Sequence, residues 1–281
     1  MLKKFTKMHG AGNDYIYFNC MQGEFANLEK VAMHLSDRHK GIGGDGIVLI
    51  SSSTVADAKM RMFNADGSEG KMCGNAIRCV GKYLYDNQIV QKTELTIETL
   101  SGIKYLKLFC NRENKVDAVQ VNMGKAEFSP NNIPVKIEAE KIVEYPLSIE
   151  NREYKITCLS VGNPHCVVFT DPNIVDLAKI GKLFENHQLF PERINTEFAQ
   201  QIEKNKFVMR VWERGSGETM ACGTGACAVV AAAVANGLVN KDEEIVVQLL
   251  GGDLKIYIDG KTDMIYMTGE AVTVFEGEVN L

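Results

Sequence analysis

The chain has 281 residues, of which 45% are hydrophobic and 24% are charged, and its formal net charge is −5. This composition is typical of a globular protein, and the length suits two domains of ordinary size. The acidic balance and the lack of a run of basic residues argue against nucleic acid as a partner. The most apolar segment, residues 226–235, is far shorter than a bilayer span, so we expect no membrane partner either.

Eight cysteines, with no export signal recognisable near the N-terminus, predict reduced thiols in a cytoplasmic protein. The sequence has no Cys-x-x-Cys pair and only five histidines, so it offers little support for a zinc site. Most of the cysteines are expected to be small buried side chains. We assign that role to Cys20, Cys110 and Cys158, which lie in strand-like segments.

The two halves of the chain follow the same predicted order of elements. Each has a strand, an amphipathic helix, a short strand, a strand that carries an arginine, and a helix rich in small residues. In the first half these are residues 15–19, 28–38 and 47–50, the strand with Arg61, and residues 74–85. In the second half they are residues 166–170, 174–186 and 197–200, the strand with Arg210, and residues 223–235. The last of these helices is apolar on all sides, which is typical of a helix buried within a curled sheet.

The halves also repeat residue by residue, with an offset of 149 or 150. Residues 60–75 (MRMFNADGSEGKMCGN) align without a gap with residues 209–224 (MRVWERGSGETMACGT). The identical pairs are Met60/Met209, Arg61/Arg210, Glu69/Glu218, Cys73/Cys222 and Gly74/Gly223. A register kept over so many elements indicates an internal duplication. The final strand, residues 271–278, has no partner in the second repeat, and we expect it to return to the first half.

Each copy places a cysteine, Cys73 or Cys222, where a helix begins. The unpaired N–H groups and the dipole at a helix N-terminus can lower a cysteine pKa from about 8.5 toward roughly 3.5–7.5. The same N–H groups can hold a carboxylate. Two such thiols on opposite faces of one carbon could remove a proton from one side and deliver another proton to the other side. This pattern predicts inversion of a carbon next to a carboxylate.

Other interpretations apply to several of these residues. Cys79 and Cys227 lie out of register with each other and are assigned a structural role. Arg61 and Arg210 match across the halves, but a structural ion pair explains them as well as substrate binding does. The asparagines that stand near the two cysteine motifs could be ordinary turn residues. They are Asn13, Asn64, Asn163 and Asn195.

The chain resembles the diaminopimelate epimerase family in eight segments that occur in family order over nearly its whole length. They are residues 8–15 (MHGAGNDY), 38–45 (RHKGIGGD), 63–69 (FNADGSE), 72–78 (MCGNAIR), 162–165 (GNPH), 194–197 (INTE), 212–215 (WERG) and 221–225 (ACGTG). The resemblance implies an α/β (α+β) fold of two homologous domains, each a curled mixed sheet around a central helix. The expected domains are residues 1–122 with 270–281, and residues 123–269, with the active site in the cleft between them.

The resemblance also implies roles for individual residues. Cys73 and Cys222 are the expected acid–base pair, and Gly74, Asn75, Gly223 and Thr224 are expected to hold the reacting carboxylate. The residues expected around the distant amino-acid end of the substrate are Asn64, Asn163, Asn195 and Arg214. Asn13 and Glu213 are expected to line the site, and His165 to support it. The implied enzyme interconverts LL- and meso-2,6-diaminopimelate for lysine and peptidoglycan precursors, needs no cofactor or metal, and is a homodimer.

Some members of the family carry glutamine where this chain has Gly46, so we expect one side-chain contact to the substrate to be missing.

Three other functions are considered as alternatives to the epimerase. Proline racemase-type enzymes also use two cysteines but have histidine after Cys-Gly, where this chain has Asn75. Phenazine-biosynthesis-type isomerases have the same fold but lack the cysteine pair. A thiol redox protein would account for two reactive cysteines but not for the polar residues around them.

Overall fold

The structure, a computed structural model, describes residues 2–281 and divides into two compact units. The first unit comprises the chain as far as Asn122 together with Thr268–Leu281, and the second comprises Met123–Met267. Both units combine strands of mixed direction with two α-helices. The fold class predicted from the sequence is confirmed.

Between residues 2 and 124 the chain forms eight strands and two α-helices. They are β1 (Leu2–Gly10), β2 (Asn13–Cys20), α1 (Leu28–Ser36), β3 (Gly46–Ser51), β4 (Ala58–Asn64), β5 (Glu69–Gly70), α2 (Gly74–Asp86), β6 (Glu94–Thr99), β7 (Gly102–Cys110) and β8 (Val116–Gly124).

From residue 125 onward the chain forms ten strands and two α-helices, with short 3-10 helices at Pro130–Asn132 and Pro172–Ile174. They are β9 (Ile142–Ile149), β10 (Arg152–Ser160), β11 (Pro164–Phe169), α3 (Leu177–Glu185), β12 (Asn195–Glu203), β13 (Lys206–Glu213), β14 (Gly217–Glu218), α4 (Gly223–Ala235), β15 (Glu244–Leu249), β16 (Gly252–Ile258), β17 (Ile265–Glu270) and β18 (Val272–Asn280).

The sheet of the first unit runs in the order β18, β1, β2, β3, β4, β6, β7 and β8. The pairs β2–β3 and β4–β6 are parallel and the others are antiparallel, while the short β5 pairs with β4. Helix α2 packs against β1, β2 and β7, and α1 packs against β3 and β4. The last strand of the chain therefore lies beside the first one.

The sheet of the second unit repeats this arrangement in the order β9, β10, β11, β12, β13, β15 and β16. Its parallel pairs are β11–β12 and β13–β15, and the short β14 pairs with β13. Helix α4 packs against five of these strands, and α3 packs against β12 and β13. Strand β9 stands beside β10 as β18 stands beside β1. The duplication in the sequence is thus a duplication of strand pairing.

Helices α2 and α4 lie deep in their units. Ten of the thirteen residues of α4 are buried, as predicted from its apolar sequence, and so are nine of the thirteen in α2. At Gly81 of α2 an added Cβ would lie 3.0 Å from the side chains of Leu106 and Leu108, so glycine permits the close approach of β7. Each helix begins at one of the two candidate cysteines.

The amphipathic helices are shorter than predicted, for local reasons. Helix α1 ends at Ser36 because the Asp37 side chain accepts hydrogen bonds from the backbone N–H groups of His39 and Lys40 and forms a turn. The helix predicted over residues 174–186 is a 3-10 turn followed by α3, which begins after Asp176. The side chain of Asp176 accepts a hydrogen bond from the Lys179 N–H and caps the helix.

An aromatic cluster fills the space between each amphipathic helix and its sheet. In the second unit the rings of Phe184 and Phe198 meet edge to face at 5.5 Å, and Tyr154 meets Phe184 at 5.3 Å. Burial of one such ring contributes about 1.5–3 kcal/mol to the free energy of folding.

Among residues 2–281, no helix combines the length and the apolar character needed to cross a bilayer.

Candidate active site

Cys73 is the N-cap residue of α2 and is half-buried. Its Sγ atom accepts a hydrogen bond from the backbone N–H of Ala76 at 3.5 Å. On the other side, the thiol donates to Oδ1 of Asn13 at 3.3 Å. Asn13 and Cys73 were predicted separately, and β2 and α2 bring them into contact.

Asn13 has its amide orientation set by a carboxylate. Its Nδ2 donates to Asp45 at 2.6 Å, so Oδ1 is left facing Cys73 and also accepts from Nδ2 of Asn75 at 3.4 Å. Asp45 is in turn held by Arg38 at 3.0 Å. Asp45 was not among the predicted site residues, although it belongs to a family-like segment of the sequence. Its role depends on a contact across 32 residues that no local pattern reveals.

Arg78 is a second residue that the sequence analysis did not single out. It is fully buried in α2, where its Nη1 donates to Oδ1 of Asn75 at 3.0 Å and to the carbonyl of Gly74 at 3.1 Å. These bonds hold the first turn of α2, which contains the two residues expected to bind a carboxylate. The corresponding position in α4 is Cys227, so the two helix starts differ in charge. An arginine within a predicted buried helix was the available signal.

Cys222 is the N-cap residue of α4 and is buried. Its Sγ accepts a hydrogen bond from the Gly225 N–H at 3.3 Å and lies 3.5 Å from Oγ1 of Thr224. Gly223 and Thr224 form the first turn, as predicted for a carboxylate-binding helix start. The two cysteines therefore occupy equivalent capping positions in equivalent helices.

The surroundings of Cys222 oppose the effect of the helix start on its thiol. Burial raises the pKa of the Cys222 thiol well above its ordinary value, and the carboxylates of Glu213 and Glu197 raise this pKa further. The hydrogen bonds from Thr224 and Gly225 act in the opposite direction but do not prevail. The helix start alone predicts a thiolate, whereas loss of hydration and two nearby acids favour the protonated thiol.

Glu213 ends β13 next to Cys222 and is half-buried. It accepts hydrogen bonds from the hydroxyl of Thr219 and from the Cys222 thiol. Burial raises the pKa of Glu213 from its ordinary value, although these two hydrogen bonds oppose that shift. Glu213 can therefore interact with the proton of Cys222 directly.

Asn195 and Arg214 are held in the second unit by backbone contacts. Asn195 is buried, accepts from the Arg214 N–H at 2.9 Å and donates to the carbonyl of Pro164 at 2.8 Å. The Arg214 guanidinium donates to the carbonyl of Glu192 at 3.0 Å. Glu185 supports the same turn by accepting from the Gly215 N–H at 2.9 Å.

His165 is fully buried and lies between the side chains of Glu197 and Asn163. Its Nδ1 lies 2.6 Å from Oε1 of Glu197, and its Nε2 lies 3.1 Å from Oδ1 of Asn163. The predicted residues His165 and Asn163 are thus in contact. Glu197 was missed, because its strand position gave no sign that a carboxylate would be fully buried there.

Asn64 lies at the end of β4, where its Nδ2 donates to the hydroxyl of Ser68 at 3.0 Å. It is paired in register with Gly46 of β3. At Gly46 an added Cβ would lie 2.0 Å from the carbonyl oxygen of Phe63 and 2.8 Å from the Tyr15 ring. With this backbone the position has no room for a side chain, and the expectation of one missing side-chain contact to the substrate stays a prediction.

Arg61 and Arg210 form equivalent ion pairs in the two units. Arg61 lies 2.7 Å from Glu69, and Arg210 lies 2.7 Å from Glu218. The structural interpretation of these arginines is supported, since both glutamates also match across the repeat.

Among residues 2–281, no group of three or more His, Cys, Asp or Glu side chains is arranged to hold a metal ion.

Cys20 and Cys158 are buried, as predicted for small core residues, but Cys110 is exposed at the end of β7. The prediction for Cys110 is wrong because the alternation that buries Leu106 and Leu108 stops at a register irregularity between Phe109 and Cys110, which leaves both residues exposed. Cys79 and Cys227 are both fully buried within their helices.

A family model and full-length relatives match this chain, and both are described as diaminopimelate epimerase. A family model described as diaminopimelate epimerase matches residues 5–129 and 157–274. The diaminopimelate epimerase of Acetivibrio thermocellus is 53% identical over 279 residues and is covered to 99%, as is this chain. The diaminopimelate epimerase of Methanococcus maripaludis is 50% identical over 280 residues, with 99% of this chain and all of the relative covered.

Two solved structures are similar in fold. A PhzF-family phenazine biosynthesis protein from Bacillus anthracis has a TM-score of 0.73 at 17% identity, with both chains covered completely. A hydroxyproline epimerase from Agrobacterium vitis has a TM-score of 0.69 at 16% identity, with 100% of this chain and 93% of that chain covered. At these identities the likeness concerns the fold alone. The family model and the full-length relatives go further: this chain belongs to the diaminopimelate epimerase family.

Proposed function

We propose that this protein interconverts LL-2,6-diaminopimelate and meso-2,6-diaminopimelate without a cofactor, with Cys73 and Cys222 as its two acid–base groups. The observation that carries the proposal is the equivalence of the two thiols. Each is the N-cap of the buried helix of its unit, and each accepts a hydrogen bond from the N–H three residues later. Family membership provides the substrate.

Inversion of a carbon explains why two thiols are needed. A single base that removes and returns a proton on one side restores the original configuration. We propose that the helix starts of α2 and α4 face the reacting carbon from opposite sides, in a cleft between domains of residues 1–122 with 270–281 and residues 123–269. One thiol then removes the proton while the other delivers a proton to the opposite face, and the reverse reaction exchanges the roles.

The carbanion formed in between must place its charge on the reacting carboxylate. The backbone N–H groups at Gly74, Asn75, Gly223 and Thr224 begin the two helices, and we propose that they bind this carboxylate. Donors aimed at a developing charge stabilise the transition state more than the ground state. Arg78 supports this role, because it holds the carbonyl of Gly74 and the side chain of Asn75.

The remaining predicted residues form the rest of the proposed site. Asn64, Asn163, Asn195 and Arg214 bind the distant amino-acid end, and Asn13 and Glu213 contact the thiols. The contact of His165 with Asn163 supports a positioning role for His165. We further propose that Cys222 rests as the protonated thiol, since its surroundings raise its pKa. When Cys222 is protonated and Cys73 is ionised, Cys73 removes the proton of the substrate and Cys222 delivers its proton to the opposite face.

We also propose a cytoplasmic location and a homodimer. No disulfide joins any of the eight cysteines in the described residues, which suits a reducing compartment. The homodimer rests on the family resemblance, and sedimentation of the purified protein tests it. The reaction serves the formation of lysine and peptidoglycan precursors.

The decisive experiment is incubation of the pure protein with LL-diaminopimelate in deuterated water, with nothing else added, followed by proton NMR. Deuterium should enter only the carbon that is inverted, because each turnover delivers a solvent-derived proton to that carbon. Activity only after addition of pyridoxal phosphate would contradict the proposal. Exchange at both carbons of the first-formed meso product, before it returns to LL-diaminopimelate, would contradict it as well. A dithiothreitol titration tests the redox alternative, since an epimerase needs both thiols reduced throughout.

A further inference from the structure

Glu197 is a fully buried carboxylate in β12. Its Oε1 lies 2.6 Å from Nδ1 of His165. Among residues 2–281 its Oε2 has no hydrogen-bond partner. An ionised carboxylate with one unpaired oxygen is costly to bury, so a position of this kind needs an explanation.

The carboxylate lies close to the Cys222 thiol. An added Cβ on Gly225 would be 2.8 Å from Oε1 of Glu197 and 3.2 Å from Sγ of Cys222. Because both atoms are this near to one point, they lie within about 6 Å of each other. Gly225 also donates the hydrogen bond that Cys222 accepts at 3.3 Å. Glycine at this position lets the carboxylate and the thiol approach the same turn of α4.

The duplicated fold shows that the pair is not required by the architecture. His165 is opposite Asn195 in the parallel pair β11–β12, and Tyr15 is opposite Gly46 in the equivalent pair β2–β3. The residues that correspond to His165 and Glu197 are therefore Tyr15 and Val48. The same strands pair and pack without a buried His–Glu contact in the first unit. Among the described residues, this buried His–Glu contact lies beside Cys222 and has no counterpart at Tyr15 and Val48.

We propose that Glu197 is a positioning residue that acts on Cys222 through His165 and through its own charge, and so keeps Cys222 protonated until the thiol gives its proton to the substrate carbanion. This inference rests on the proposed function. Glu197 does not touch the substrate. It fixes the His165 ring, which in turn contacts Asn163, and it opposes negative charge on the thiol.

Three other titratable groups lie around Glu197. His165 and Cys166 come from β11, and Glu213 comes from β13. Of these and Cys222, only His165 can carry a positive charge. The carboxylates of Glu213 and Glu197 both raise the pKa of Cys222, and removal of one of them should lower it. A Glu197→Gln variant should therefore lose the proton of Cys222 at lower pH.

Two measurements on Glu197→Gln test this inference. The alkaline limb of the pH profile of kcat/KM, recorded from LL-diaminopimelate, should move to lower pH. In a Cys73→Ala background, alkylation of Cys222 by iodoacetamide should also rise at lower pH. At a fixed pH on the rising part of the curve, a movement of one pH unit corresponds to about tenfold faster alkylation. Peptide mapping identifies Cys222, and the exposed thiol of Cys110 provides the internal reference.

Two variants serve as controls. Glu185→Gln removes another buried carboxylate, which contacts Trp212 and Arg193 but neither thiol, and its alkylation profile should match the parent. Glu197→Asp keeps the charge, so the alkylation profile of Cys222 should stay near that of the parent even where turnover falls. This second variant can still overturn the inference if Glu197→Gln does not fold.

The outcomes separate the inference from the proposed function. Equal loss of kcat/KM at every pH, with an unchanged alkylation profile in Glu197→Gln, would mean a merely structural role. A profile that moves to lower pH in Glu197→Asp would show that charge is not the cause. Both results overturn the inference. If the parent protein does not epimerise diaminopimelate, the proposed function fails, while the alkylation profiles still test the action of Glu197 on Cys222.

Discussion

The side-chain amide of Asn13 donates a hydrogen bond of 2.6 Å to the carboxylate of Asp45, and this bond determines which end of the amide faces Cys73. The amide oxygen accepts from the thiol at 3.3 Å, and it can do so only while the amino group is held by Asp45. Arg38 keeps Asp45 in place from the opposite side. The orientation of a residue beside the proposed base is thus set by a residue that has no contact with the thiol.

Replacement of Asp45 by Asn should therefore impair catalysis. The neutral amide can present its own amino group to Asn13, which allows the Asn13 amide to turn over and face Cys73 with its nitrogen. A hydrogen bond to a charged group contributes about 1.5–3 kcal/mol, so kcat/KM should fall by roughly tenfold or more. Asp117→Asn, at an exposed carboxylate that contacts Asn111, is the control and should leave kcat/KM unchanged. Equal values for both variants would contradict the role of Asp45.

Single replacement of Cys73 or Cys222 by Ala should nearly abolish epimerisation, because no group remains to protonate the far face. General acid–base groups contribute about 10²–10⁴-fold, and the loss should be at least of that order. The remaining thiol can still exchange a proton on its own side. Each variant should then exchange solvent deuterium into one epimer without inverting it, and the two variants should prefer opposite epimers. Proton NMR in deuterated water measures this, and exchange of the same epimer by both would refute the two-face assignment.

Replacement of Gly46 by Ala should destabilise the protein strongly. The new Cβ would lie 2.0 Å from the Phe63 carbonyl, so β3 and β4 must separate locally. Overpacking of this kind costs about 1–3 kcal/mol and sometimes more. Gly102→Ala is the comparison, since its φ of +86° gives a backbone penalty of about 1–2 kcal/mol but no atom lies within 4 Å of the added Cβ. Urea denaturation should show the larger loss for Gly46→Ala.

Replacement of Glu213 by Gln should raise stability at neutral pH while it lowers activity. The raised pKa means that the folded state holds the proton of Glu213 more tightly than the unfolded state does. Stability therefore falls as pH rises from the unfolded pKa of this carboxyl through the folded one, and it stays lower above that window. Gln has no such proton to lose, so the advantage of the variant should appear across this window and vanish in acid. Thermal unfolding at several pH values tests this, with Glu203→Gln, at an exposed position, as the control.

Replacement of Arg210 by Met distinguishes the structural interpretation of this arginine from substrate binding. Arg210 lies about one-quarter exposed, pairs with Glu218 and also donates to the carbonyl of Pro172 at 3.0 Å. Its loss should lower the free energy of unfolding by about 1 kcal/mol and leave KM and kcat unchanged. A KM for diaminopimelate that rises more than tenfold would instead assign Arg210 to the substrate.

The sequence by itself determined the duplication and the placement of a thiol at two equivalent helix starts, and both follow from local patterns. The fold class was predicted from the resemblance of eight sequence segments to a known family. An apolar segment such as residues 223–235 predicts its own burial. The offset of 149 or 150 residues between matched positions stays constant along the chain, so the repeat can be recognised. The same patterns missed β1, whose three lysines conceal a strand that lies between β18 and β2.

Only the tertiary structure decided the chemical surroundings of the two thiols. Asp45, Arg78 and Glu197 either contact segments distant in sequence or are completely buried, and neither property is visible in a local window. For the same reason the helix start alone does not reveal the direction in which its surroundings shift the pKa of Cys222. A helix start favours a thiolate, but the neighbours that oppose it, Glu213 and Glu197, reach the thiol from β13 and β12. Strand pairing determines which charges meet, and burial determines how strongly they act.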